Sequence, residues 1–129
     1  MRLAYTIVYV ANVAESVAFL AAAFGLTCRF IVPTGDYAEL DTGSTALALA
    51  QHDTARANLG QDYRAADASS VPLGMEIGLS TDDVPVAYAR ALAAGATGLK
   101  PPANKPWGQT VAYVRCPDGL LVELCTPMG

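Results

Sequence analysis

The sequence predicts an α+β domain of two tandem βαβββ modules whose strands form a curved mixed sheet around a cavity. Three observations predict it: an order of five elements that occurs twice, a polar connection between the two occurrences, and turn glycines at matching places in both. The 129 residues suit a single domain, 1–129, with module one at about 1–50, the connection at about 51–74 and module two at about 75–129.

Module one opens with a run from Leu3 to Val10 rich in Tyr, Ile, Val and Thr, which reads as a strand. Asn12 is placed to cap a helix, with Glu15 three residues on, and Val13, Val17, Leu20 and Phe24 recur at helical spacing until Gly25 ends it. Three strands follow: Thr27 to Val32, Tyr37 to Asp41 and Thr45 to Ala50, separated by Pro/Gly and Thr-Gly turns. From Gln51 to Gly74 the apolar spacing dissolves into Asp, Asn, Ala, Ser, Gly and Pro, the connection. Met75 to Thr81 then reads as a strand. Asp83 caps a helix carrying Val84, Tyr88, Ala91 and Leu92, Pro85 sits in its first turn where a missing N–H costs little, and Gly95 stops it. Strands near Ala96 to Lys100, Gln109 to Arg115 and Leu120 to Cys125 complete module two.

Aligning turns pairs residues between the modules. Setting Gly43 against Gly119 places Tyr37 on Tyr113, Glu39 on Arg115 and Leu47 on Glu123; setting Asn12 against Asp83 places Tyr5 on Glu76.

Composition narrows the function. A net charge of -4, from 12 acidic and 8 basic residues, offers no basic stripe for a phosphate backbone, so nucleic acid is not an expected partner. No segment is long and apolar enough to predict a membrane span, and MRLAYTIVYV suits a strand better than a secretory core. Cys28, Cys116 and Cys125 form no CxxC pair and are odd in number, which predicts a reducing, cytoplasmic setting. Cys28 and Cys125 read as small strand hydrophobes, and Cys116, in a turn with no neighbouring His, is not an expected nucleophile.

Three segments in order, NVAESVAFLAAAFGL (Asn12 to Leu26), PWGQTVAYV (Pro106 to Val114) and CPDGLLVEL (Cys116 to Leu124), resemble the vicinal oxygen chelate superfamily. That superfamily includes glyoxalase, extradiol dioxygenases, fosfomycin-resistance enzymes and bleomycin-resistance proteins; the chain is closest in type to the small glyoxalase-like or bleomycin-resistance-like members. Cys116 stands where the family's DPDG turn has its first Asp. The resemblance implies a cavity on the concave face, a homodimer, and, in members with metal chemistry, one ion held by up to four side chains, here at Tyr5, Leu47, Glu76 and Glu123. Leu47 cannot ligate and neutral Tyr is a poor ligand, so no metal or other cofactor is expected; if a divalent ion binds, Glu76 and Glu123 are its ligands. His52, the one histidine, cannot supply the two-His-one-carboxylate set of an iron dioxygenase, and its place in the connection reads as a solvated loop.

If Tyr5, Glu76 and Glu123 are concave, strand alternation brings Ile7, Tyr9, Gly78, Ser80, Tyr37, Glu39, Val111, Tyr113, Arg115, Leu121 and Cys125 to the same side, with Val8, Val10, Ile77, Leu79, Val122 and Leu124 turned to the helices. The candidate ligand-binding residues are then Tyr5, Tyr9, Tyr37, Glu39, Glu76, Trp107, Tyr113, Arg115 and Glu123, with Trp107 at the cavity mouth. No catalytic residue is identified. Two carboxylates ~4 Å apart repel by about 4 kcal/mol at an effective dielectric near 20. The pair Glu76/Glu123 therefore calls for a cation, Arg115, a basic ligand group or a shared proton. Arg115 opposite Glu39 is alternatively a rim salt bridge. The readings are a metal-independent small-molecule-binding protein, a lyase, isomerase or transferase using the two glutamates with a divalent metal, or an association module with a vestigial cavity.

Overall fold

The computed structural model describes residues 1–128. Its elements run β1 (Tyr5–Val10), α1 (Val13–Phe24), β2 (Thr27–Ile31), β3 (Tyr37–Asp41), β4 (Ala46–Gln51), α2 (His52–Leu59), a 3-10 turn (Ala66–Ala68), β5 (Glu76–Ser80), α3 (Val84–Ala94), β6 (Thr97–Asn104), β7 (Thr110–Arg115) and β8 (Leu121–Cys125). The predicted tandem βαβββ order is present. Its strands pair as two four-stranded mixed sheets, β1-β4-β3-β2 and β5-β8-β7-β6, each with one parallel pair, made by its first strand at the sheet edge, and two antiparallel pairs from hairpins.

The helix signals act where the sequence puts them. Asn12 accepts from the Glu15 amide at 2.9 Å and Asp83 from the Val86 amide at 3.1 Å, satisfying first-turn donors. Gly25 closes α1 in the left-handed region, φ 69°, where its amide reaches back to the last carbonyls. Helices α1 and α3 pack on each other and on their own sheets. Val13, Leu20 and Ala23 from α1 and Val84 and Ala91 from α3 join Val8, Val10, Leu40, Leu47, Leu49, Ala112, Val114, Val122 and Leu124 in one continuous core. The other face of each sheet is left open.

Two departures from the sequence reading matter. The connection is structured: α2 starts on the Gln51 side chain, which accepts from the Asp53 amide, and ends at Gly60. Only Ala55 of α2 is buried, so this short helix is made by its caps rather than by an apolar stripe, and it leaves no periodic signal. Strand β6 runs past Lys100 through Pro101 and Pro102, with a register shift between Lys100 and Ala103; as an edge strand it loses no ladder bond there.

The turn alignment between modules needs a correction. In the first hairpin Glu39 pairs with Ala48 and Leu40 with Leu47; in the second, Tyr113 pairs with Glu123. The second hairpin is one residue longer between paired positions, so Ala48, not Leu47, is equivalent to Glu123, and Glu39 is equivalent to Tyr113. Leu47 faces the helices and is buried, because a one-residue shift moves a side chain to the other face. The pairing of Tyr5 with Glu76 stands, since Tyr5 opposes Ala46 as Glu76 opposes Leu121.

No helix among the described residues is long and apolar enough to cross a membrane.

Candidate functional site

The ALALAQ sequence of β4 shows how one open face is shaped. Its leucines point to the core, and Ala46, Ala48 and Ala50 form a floor of small side chains beneath Tyr5, Ile7 and Tyr9 from β1 and Tyr37 and Glu39 from β3. Tyr37 donates its hydroxyl proton to Glu39 Oε2 at 3.0 Å, and burial, reinforced by that carboxylate, pushes its ionisation up to about 12. The cation beside Glu39 is Arg29, at 3.7 Å, which also reaches Asp41 at 3.3 Å.

The open face of module two holds the acids. Gly78 pairs with Glu123 and Glu76 with Leu121 on parallel neighbours, which sets the two glutamates diagonally on one face. Gly78 puts no side chain beside them, although a Cβ there would meet Glu123 Oε2 only at an ordinary contact distance of 3.9 Å. Desolvation, then the hydrogen bond and charge of Glu123, hold Glu76 above the ordinary carboxylate range. Tyr113, directly opposite Glu123, and Cys125 are also held up, by burial first and then by the two carboxylates, so both keep their protons near neutrality. The arrangement is an acidic pair ringed by neutral donors, suited to a cationic or hydrogen-bond-donating group.

Three residues take other roles than expected. Arg115 points neither to Glu39 nor to the acidic pair; its Nη2 donates to the carbonyls of Ala66 and Ser69, at 2.9 and 2.8 Å, and pins the connection. Arg115 ends β7 opposite Leu121, the first residue of β8, which places its side chain beside the connection. His52 is not solvated: its side chain is 11% exposed, Nδ1 bonds the Tyr63 hydroxyl and Nε2 lies 3.3 Å from Asp67. Trp107 stands 61% exposed on a turn, donating to Gln109 Oε1 at 2.8 Å, and does not line the clefts described below. Cys116 is buried, which pushes its thiol up and away from nucleophilic use.

Two small clefts mark the seam where the free edges β1 and β5 approach. One, about 150 Å³, is lined by Ile7, Tyr9, Tyr63, Leu73, Met75 and Leu121 among others. The other lies between Thr6, Ala46 and Leu47 and Ile77, Gly78 and Leu79. Tyr63 and Leu73 are not among the candidate site residues of the sequence, since they belong to a segment without periodicity, and Met75 is placed there only as the start of a strand. A larger cleft of about 500 Å³ beside α3 contains Asp83 and Arg90, but Asp83 caps α3 and Arg90 is spent on the carbonyls of Ala21 and Ala22. The uncommitted chemistry lies on the open faces.

The profile of the Glyoxalase/Bleomycin resistance protein/Dioxygenase superfamily matches residues 2–124. The chain belongs to that superfamily. A glyoxalase-related enzyme from Fulvimarina pelagi is similar in fold, with TM-score 0.84 at 21% identity over 100% of this chain and 93% of its own. So is a glyoxalase/bleomycin resistance protein/dioxygenase family enzyme from Burkholderia phytofirmans, with TM-score 0.77 at 19% identity over 99% and 100%. A hypothetical protein from S. aureus gives 0.80 at 16% identity over 98% and 94%. No curated protein matches the chain significantly.

A metal of the kind this superfamily is named for does not fit these residues. The four equivalent positions are Tyr5, Ala48, Glu76 and Glu123, which offer two good oxygen donors, and among the described residues no three His, Cys, Asp or Glu side chains cluster as ligands.

Proposed function

We propose that this superfamily member is a metal-independent small-molecule-binding protein that holds an organic ligand against its open sheet faces. The observation that supports this is the Glu76/Glu123 pair: its mutual repulsion, set among protonated Tyr113 and Cys125, is relieved by a ligand cation, while the residues around it cannot complete a metal shell. Because Glu76 takes up its proton at a higher pH than an ordinary glutamate, affinity for a cationic ligand falls as the pH drops through that raised range.

Calorimetric titration of wild type and Glu123→Gln with Mg²⁺, Mn²⁺, Zn²⁺ and Ni²⁺ tests the reading, together with native mass spectrometry of what copurifies. No stoichiometric metal uptake by either protein is expected. Tight uptake by wild type that Glu123→Gln abolishes would replace the reading with a lyase, isomerase or transferase using both glutamates around a divalent ion.

The working form is proposed to be a cytoplasmic homodimer. Tyr5, Ile7 and Phe30 leave apolar surface exposed on the open face of module one, which a second copy would cover, and the three cysteines are free thiols suited to a reducing compartment. Light scattering should give twice the 13.4 kDa chain mass. A monomer mass at micromolar concentration would remove the dimer.

A further inference from the structure

We infer that the ligand is an arylalkylamine, with its ring in the seam cleft and its ammonium on the Glu76/Glu123 pair; this rests on the binding-protein reading above and narrows it to a chemical class. The inference comes from a juxtaposition that spans the two modules. Leu121 lines the cleft and is also the cross-strand partner of Glu76 on the same face, and Met75, likewise in the cleft, precedes Glu76 in the chain. The apolar cleft thus abuts the acids, separated by about one strand spacing of ~4.8 Å.

The size and walls of the cleft fit a ring. An apolar cavity of ~150 Å³ takes one benzene, and the volume here is about 150 Å³. Its walls include Ile7, Leu73, Met75 and Leu121, with Tyr9 and Tyr63 as an aromatic side, their rings 4.8 Å apart and tilted by 50°. Arg64 also lines the cleft, so the ammonium has to leave it towards the acids while the ring stays inside. Tyr63 is fixed before any ligand arrives. Its hydroxyl is bonded to His52 Nδ1, His52 is held from its other nitrogen by Asp67, and the Arg56 guanidinium lies 4.8 Å over the Tyr63 ring. His52 and Arg56 are therefore positioning residues for a preorganised aromatic wall, which lowers the ordering cost of binding. A two-carbon linker spans the distance from a ring in this slot to the carboxylates, where an ammonium finds charge-assisted acceptors.

The test uses the full chain and three probes, 2-phenylethylamine, n-butylamine and 2-phenylethanol, titrated by NMR at near-neutral pH. For so small a probe, 2-phenylethylamine should bind with a Kd on the order of 0.1–1 mM. It should bind at least about 10-fold more tightly than either comparison compound, because each lacks one of the two contacts. Its shifts should centre on Ile7, Tyr9, Met75 and Leu121. Glu123→Gln should weaken it about 10-fold or more. So should Met75→Lys, which places a competing ammonium at the cleft mouth from a side chain 58% exposed and so tolerant of change.

Equal affinity for the two amines, or no effect of Met75→Lys, would remove the ring from the cleft while leaving an amine-binding acidic pair intact. Equal affinity for 2-phenylethanol would remove the ammonium from the acids. Binding of none of the three at about 10 mM would overturn both this inference and the cationic-ligand reading beneath it.

Discussion

Gly119→Ala should destabilise the protein by on the order of 3–5 kcal/mol, while Gly43→Ala, in the corresponding turn of module one, should cost only about 1 kcal/mol. Both glycines have positive φ, 91° and 97°, so both substitutions carry backbone strain. They differ in what a new methyl group meets. At Gly43 nothing lies within 4 Å, whereas at Gly119 a Cβ would run into the carbonyl group of Ala66 and come within 2.6 Å of the Asp67 amide nitrogen. Backbone cannot step aside like the end of a flexible side chain. The connection would have to lift, which breaks the Arg115 bonds to Ala66 and Ser69 and draws Asp67 from His52. Urea unfolding of the two variants against wild type measures the difference. Equal costs for the two would mean that the β7–β8 turn does not press on the connection, and the cleft wall carried by Tyr63 would lose its support.

Leu47→Glu should abolish cooperative folding or cost more than about 4 kcal/mol, with Leu47→Ala costing about 2–4 kcal/mol and Ile7→Glu no more than about 1 kcal/mol. The contrast follows from the strand faces. Leu47 opposes Leu40 and Thr6 on the helix side and is 5% exposed, so a carboxylate there is stripped of water with no cation to meet it. Ile7, one position from Thr6 along β1, opposes Ala48 on the open side and keeps 37% of its surface in water. Circular dichroism and thermal melts of the three variants decide the matter. A folded, stable Leu47→Glu protein would return Leu47 to the open face and restore the four-position metal comparison in which it stood opposite Glu123.

The helices show what local chemistry makes legible. Asn12 and Asp83 each bond an amide of the first turn, and Gly25 and Gly95 each end a helix in the left-handed region, all through neighbours within a few residues. The alternation in ALALAQ and LVELC likewise fixes which side chains share a face once one face is known. Of the candidate site residues, Glu76, Tyr113 and Glu123 come together on module two and Tyr5, Tyr9, Tyr37 and Glu39 share the open face of module one. Arg115 and Trp107 are on other duties, and the sequence gives no sign of it, because a backbone carbonyl acceptor and an exposed turn are invisible in residue identity.

The sequence by itself determined the tandem βαβββ order, the limits of α1 and α3 and the strand alternation, since each rests on bonds or periodicities spanning a few residues, while the acidic pair came from the family resemblance. Tertiary structure alone decided three things. It set the register of the two hairpins, where one extra residue in the second turn moves the equivalent of Glu123 from Leu47 to Ala48 and each ladder is fixed by which face can be buried. It gave the connection a form, because α2 and the 3-10 turn are held by Arg115, by Gly119 and by the His52 contacts to Tyr63 and Asp67, all made by parts of the chain distant from one another or without period. It also created the seam cleft beside Glu76, whose walls come from β1, the connection and β8 and exist only when the core has brought the two free strand edges together.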